Sequence, residues 1–119
     1  MHGQVHGGIV QGAGQALSEC VTHEPSSGQV LTGSFMDYAM PRADMVPSFT
    51  VELAEDPTKG NPLRVKGGGE AGITPALAAI TNAVVDALSV HGIEHMDMPA
   101  TPARVWATIE AATRQTEPD

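Results

Sequence analysis

Arg64-Val65-Lys66-Gly67-Gly68-Gly69-Glu70-Ala71-Gly72 is the stretch on which the reading of this chain turns. Consecutive glycines pack no core and favour neither helix nor strand. They serve where backbone takes φ > 0 or must approach another group closely. A carboxylate, Glu70, follows at once, and Ile73-Thr74-Pro75-Ala76 then opens an apolar, helix-like run. An amide-rich loop therefore presents one acid just upstream of a helix start. Amides so placed can hold an anionic group, and a carboxylate on an enclosed loop can act as a general base.

The plainer reading stands beside this one. Most glycine-rich loops are turns, and a Glu near a helix start commonly serves as a dipole or capping partner. Local chemistry alone favours that reading. No Gly-Lys-Ser/Thr follows the glycines, so the stretch is not a nucleotide phosphate loop. Nor does it sit in a strand-loop-helix unit with a later ribose-binding acid.

A chain of 119 residues has the size of one small domain, read here as a single domain over 1–119 with a flexible tail at 113–119. Aromatics are few (Trp106, Tyr38, Phe35 and Phe49), so Ala, Val, Ile, Leu and Met must fill the core. The formal net charge is −8, and no Lys or Arg precedes Arg42. That balance argues against a nucleic-acid or anionic-membrane surface. The sequence shows no signal peptide and no apolar run judged long enough to span a bilayer, so the expected location is cytoplasmic. Cys20 is the single cysteine, which excludes an internal disulfide and an iron–sulfur cluster held by this chain alone. It is expected to be a small buried hydrophobe.

From the N-terminus, Val5, Ile9, Ala13, Ala16, Leu17 and Cys20 recur at helical spacing, and Gly8, Gly12 and Ala16 form a second stripe of small residues. A Gly in a helix costs up to ~1 kcal/mol relative to Ala. So many of them imply that another backbone or a ligand packs very close. Tight helix packing accounts for Gly12 and Gly14. Gly3-Gln4 and Gly7-Gly8 suit a polar ligand at the helix start better. His2 and His6 lie four apart but have no third ligand nearby, and no metal site is expected.

Val21-Thr22-His23 and Gln29-Val30-Leu31-Thr32, around Pro25-Ser26-Ser27-Gly28, predict a hairpin. Residues 33–47 read as irregular; Asp37 and Tyr38 could serve a site, but tethering hydrogen bonds are the favoured reading. Residues 48–55 alternate and predict a half-buried strand. Thr74 is the expected N-cap, with Pro75 at N1, of a helix ended by Gly92. Thr101-Pro102 repeats the start signal for a last helix. The expected fold class is α+β: a glycine-rich N-terminal helix, a short hairpin and strand, the glycine loop, and two C-terminal helices.

Taken in order, these residues resemble a known family. Gly3-Gln4-Val5-His6-Gly7-Gly8-Ile9-Val10-Gln11-Gly12-Ala13-Gly14-Gln15-Ala16-Leu17 and Asp37-Tyr38-Ala39-Met40-Pro41 resemble segments of the molybdenum hydroxylases. Lys66-Gly67-Gly68-Gly69-Glu70-Ala71-Gly72 resembles that family's catalytic-glutamate loop. Asn82-Ala83-Val84-Val85-Asp86-Ala87-Leu88 and Pro99-Ala100-Thr101-Pro102-Ala103-Arg104-Val105-Trp106 resemble its closing helices. The family is xanthine dehydrogenase/aldehyde oxidase, in particular the molybdopterin-binding large subunits of carbon monoxide dehydrogenase-like enzymes.

The resemblance implies a molybdenum–molybdopterin cofactor, as the cytosine dinucleotide, held only in the assembled enzyme. It implies that Glu70 is the base that takes a proton from a metal-bound hydroxyl, and that Gln4 hydrogen-bonds the pterin. Backbone near Gly7, Gly8, Gly67, Gly68 and Gly69 would lie close to the cofactor. Lys66 would support the loop or the cofactor's phosphates.

In that family the segment is the C-terminal part of a much larger subunit. The implied partners are the remainder of the large subunit, an iron–sulfur subunit, an FAD subunit and a small-molecule substrate, with no nucleic acid or membrane. The chain alone is expected to be inactive. A split subunit, a truncated gene and an excised domain all remain open, as does a non-catalytic remnant or interaction module that binds no cofactor.

Overall fold

Gly8, Gly12 and Ala16 share a helix face with no side chain larger than a methyl group, and a second helix lies directly on it. The computed structural model describes residues 1–116. Helix α1 spans His2–Leu17, α2 spans Ile73–Leu88 and α3 spans Pro102–Thr116. Single 3-10 turns cover Ala43–Met45 and Ser89–His91.

The contact between α1 and the start of α2 is backbone on backbone. A Cβ placed on Gly72 would stand 2.3 Å from the Val5 carbonyl oxygen and 3.1 Å from Gly8 Cα. One placed on Gly8 would meet the Ile73 nitrogen at 2.9 Å, and one on Gly12 would meet Ala76 Cβ at 2.7 Å. The close approach expected from the glycine stripe is therefore made by the neighbouring helix. The same logic holds at Gly14, where a Cβ would lie 2.5 Å from Pro41 Cγ.

A second packing centre lies at the other end of α2. Leu88, Ile93, Met96 and Ala100 are buried together, with Val84, Val85, Val105, Ile109 and Ala112 half-buried around them. Gly92 ends the α2 run at φ 72, as its place after the last apolar residue predicts. Thr101 caps α3, its Oγ1 accepting from the Arg104 N–H at 3.3 Å. The Ala100 N–H donates to the Ala16 carbonyl at 2.7 Å and ties the α3 lead-in to α1.

Four expectations are corrected. Helix α2 begins at Ile73 with Gly72 at the cap position, two residues ahead of Pro75. Pro75 then falls within the first turn, where its missing N–H is no loss. Helix α3 runs through Thr116, held by Thr113 on the Ile109 carbonyl and an Arg114–Glu110 pair, so 113–116 are helix and not tail. Residues 117–119 of that expected tail lie outside the described residues.

The α+β expectation also fails for the chain itself: no strand forms among the described residues. The hairpin is a turn closed by one bridge, His23 to Val30, because its legs are short and exposed. Residues 48–57 form no regular element, and none of their backbone groups meets a hydrogen-bond partner among the described residues. Finally, the helical run Ile73–His91, 19 residues with mean hydropathy 1.5, is long and apolar enough to cross a membrane by length and composition. Its hydropathy comes from Ala and Val rather than from a Leu-rich run. Its first turns lie on α1, and Leu88 enters the core.

The chain exposes 8953 Å², against about 6,100 Å² for a self-contained protein of its mass. Its radius of gyration is 18.8 Å, against about 13.5 Å for a compact domain of this length. Among the described residues no large side chain is fully buried, and Phe35 and Met36 are 85% and 93% exposed. Such a surface is more open than that of a self-contained domain of this size.

The helix crossing makes a stability prediction. Gly72→Ala drives a methyl into the Val5 carbonyl and is expected to destabilise the chain by ~1–3 kcal/mol. Gly7→Ala, with nothing within 4 Å of its Cβ position, is expected to gain up to ~1 kcal/mol of helix propensity. Urea unfolding of both variants checks the opposite signs.

Candidate functional site

The start of α1 and the glycine loop are joined by a hydrogen bond between residues 65 apart in sequence: Gln4 Nε2 donates to the Gly69 carbonyl at 3.1 Å. Gln4 sits in the first turn of α1, where the helix itself offers its side chain no partner. Gly69 immediately precedes Glu70, and the Thr74 N–H donates to the Glu70 carbonyl at 3.2 Å, turning the loop into α2.

The loop backbone is open. At Gly67 and Gly69 a Cβ would meet nothing within 4 Å, while at Gly68 it would strike the end of the Met1 side chain. The N–H groups of Gly67, Gly68, Gly69 and Glu70 find no partner among the described residues. The Glu70 side chain is exposed, and no described residue hydrogen-bonds or ion-pairs with its carboxylate. A row of free donors and a free carboxylate thus lie on one loop, pinned at its end by Gln4.

The other expected residues divide. Lys66 Nζ pairs with the Asp56 carboxylate, tying the loop to the segment 48–57. The pair is exposed and contributes little to stability. It went unseen in the sequence, where the two opposite charges ten apart across a loop are its only trace. Gly8 is buried against Gly72 and Ile73, so it seats the loop's exit through packing. Gly7 faces open space. Both lie inside α1, whose ladder takes their N–H groups.

His6 packs edge-on against Phe49 with ring centroids 5.7 Å apart. They line an open groove of about 510 Å³ with Gly7, Val10, Pro41 and Arg42. The His6–Phe49 contact was not foreseen; the alternation that put Phe49 on the inner face of 48–55 carried the signal. His2 is exposed. Among the described residues no three His, Cys, Asp or Glu side chains gather as a metal site.

Asp37 and Tyr38 act as tethers. Asp37 Oδ2 accepts from Ser34 Oγ at 2.7 Å, and the Tyr38 N–H donates to the Ser34 carbonyl at 2.8 Å. Partial burial, then the charge and hydrogen bond of Glu19, then the charge of Cys20, hold the Tyr38 hydroxyl above its ordinary pKa of 10.0. Cys20 is half-buried.

The glycine-rich helix start lies within a recognised class of cofactor-binding domain. Residues 1–47 match the family model of the molybdopterin cofactor-binding domain. Over 105 residues the chain is 42% identical to the nicotine 6-hydroxylase large subunit of Paenarthrobacter nicotinovorans, covering 88% of this chain and 13% of that one. It is 32% identical over 110 residues to the carbon monoxide dehydrogenase large chain of Hydrogenophaga pseudoflava, covering 92% and 14%. The crystal structure of quinoline 2-oxidoreductase from Pseudomonas putida 86 superposes with a TM-score of 0.85 at 36% identity, covering 98% of this chain and 14% of that one. The chain belongs to the molybdenum hydroxylase large-subunit family, whose members are molybdenum-dependent hydroxylases and dehydrogenases. It spans about one seventh of the length of these relatives.

The Tyr38 environment predicts a titration. The phenol is expected to ionise above 10.0, and Glu19→Gln is expected to bring it down. With the folded pKa above the unfolded one, the associated stability is full below pH 10.0 and is lost as pH rises through the folded pKa. Phenolate absorbance against pH for both forms checks the direction.

Proposed function

We propose that this chain contributes the general base and part of the molybdopterin cradle to a molybdenum hydroxylase. The observation that carries the reading is the Gln4–Gly69 hydrogen bond at 3.1 Å, which joins the two expected cofactor elements one residue before Glu70. The loop fits such a group: Gly67 and Gly69 leave their Cβ positions open, and the loop N–H groups lack partners among the described residues.

The cofactor, proposed to be the cytosine dinucleotide form, supplies when bound the oxidising centre for hydroxylation of an electron-poor carbon. Gln4 retains its amide oxygen and one N–H to orient the pterin edge. Gly67, Gly68 and Gly69 offer N–H donors to it, Gly7 leaves the helix surface bare for its approach, and Gly8 sets the loop height through Gly72. Lys66, neutralised by Asp56, supports the loop. The Glu70 carboxylate takes up the proton released during oxygen transfer, which requires it to be ionised at working pH. The remaining large subunit would exclude water around it.

The higher identities to the nicotine and quinoline enzymes than to the carbon monoxide dehydrogenase favour an N-heteroaromatic substrate. Iron–sulfur and FAD subunits would drain the electrons, in the cytoplasm. The chain alone, without the rest of the pocket, would be inactive. The α+β architecture would be completed on assembly. Residues 48–57 offer unpaired backbone along their length, and a strand from the remaining large subunit would pair with it.

Two measurements test this reading. Glu70→Gln is expected to lower turnover of nicotine or quinoline by the assembled enzyme at least about a hundredfold, with molybdenum and pterin content unchanged; full turnover would refute the base. Hydrogen exchange of residues 49–56 is expected to be fast in the isolated chain and slow in the assembled enzyme. Equal rates in both would refute strand completion.

A further inference from the structure

The glycine loop has no side chains to hold its path, so its course is set by what grips its ends. Gln4 grips the downstream end. The upstream end is gripped by Asn61, a half-buried residue in the turn before the loop. Asn61 Nδ2 donates to the Val65 carbonyl at 2.9 Å, and Asn61 Oδ1 accepts from the Val65 N–H at 3.3 Å. One amide side chain thus satisfies both backbone groups of Val65, as a neighbouring strand would. The turn is closed by the Arg64 N–H on the Asn61 carbonyl at 3.1 Å.

Within this clamp Arg64 stands at φ 56, the one non-glycine residue with positive φ among the described residues. An L residue with a long side chain rarely adopts this region unless its surroundings impose it. The two bonds on either side of Val65 are the imposing contacts, since the Arg64 side chain is itself exposed. The other upstream hold, Lys66 on Asp56, is a solvent-exposed ion pair and a weak constraint.

We infer that Asn61 is a positioning residue for Glu70: its two-point clamp on Val65 holds Arg64 in the left-handed region and thereby aims the glycine loop at Gln4. The role of Glu70 as base rests on the function proposed above. The clamp and its effect on the loop do not.

The test uses the full chain, labelled with nitrogen-15, and reads the Gln4 side-chain amide and the Gly67, Gly68 and Gly69 backbone amides. Asn61→Ala is expected to shift these signals while those of α3 stay in place. Arg64→Gly removes the need for an imposed left-handed residue. Adding it to Asn61→Ala is expected to return the Gln4 and glycine signals towards their original positions. A rescue of this kind distinguishes aiming from general destabilisation. Unmoved loop signals in a folded Asn61→Ala chain, or no return in the double variant, would overturn the inference. Should Asn61→Ala not fold, Asn61→Asp keeps the acceptor for the Val65 N–H and removes the donor to its carbonyl. Half the displacement is then expected, and none would overturn it.

In the assembled enzyme Asn61→Ala is expected to lower kcat roughly tenfold or more with KM within about twofold, at unchanged molybdenum content. Unchanged kcat would overturn the positioning role. Failure of Glu70→Gln to reduce turnover is a separate result that would refute the base and leave the loop geometry standing.

Discussion

The backbone contact between Gly8 and Gly72 is the constraint on which the rest depends. A methyl at Gly72 would lie 2.3 Å from the Val5 carbonyl, well inside any tolerable separation, so α1 and α2 cross at a distance only hydrogen atoms permit. That crossing fixes where α2 begins, and its cap, Gly72, is two residues from Glu70. It also places the first turn of α1 beside the glycine loop, which is why a single Gln4 side chain can span the gap. Helix propensity is given up along α1 to achieve this. The return is a loop and a helix start held in register with almost no side-chain mass between them.

Energy in this chain is concentrated at two places, and the function proposed lies near only one. The Leu88, Ile93, Met96 and Ala100 cluster anchors α2 to α3 through ordinary apolar burial. The α1–α2 crossing buries little apolar area and relies on close backbone fit. Between them the segment from residue 18 to residue 60 is largely exposed, held by turn hydrogen bonds and a few contacts such as His6 on Phe49. The surface exceeds that of a self-contained protein of this mass by roughly 2,900 Å², and the subunits of its relatives are about seven times longer.

The helices and several of their ends were legible in the sequence, though not the start of α2 or the end of α3. The Gly8–Gly12–Ala16 stripe announced a close neighbour, Thr101 announced a cap, and Gly92 announced a stop, because each depends on local geometry alone. The hairpin and the strand over 48–55 were read from real alternation and real turn residues. They stop short of strands because a strand exists only with a partner, and among the described residues the pairing amounts to the single His23–Val30 bridge. The open membrane question at Ile73–His91 has the same origin: composition states how apolar a helix is, not what lies against it.

The sequence by itself determined the helix positions, the glycine loop with its acid, and the family, since all are written in spacing and in the order of short motifs. Only the tertiary structure decided which glycines serve packing and which stay open, because Gly7 and Gly8 are chemically identical and differ only in what faces them. It alone paired Gln4 with Gly69 across 65 residues, and it alone showed Asn61 bound to Val65 beside a left-handed Arg64. Such contacts arise from chain reversals that no local pattern encodes, so they become visible only when the two ends of the site are brought together in space.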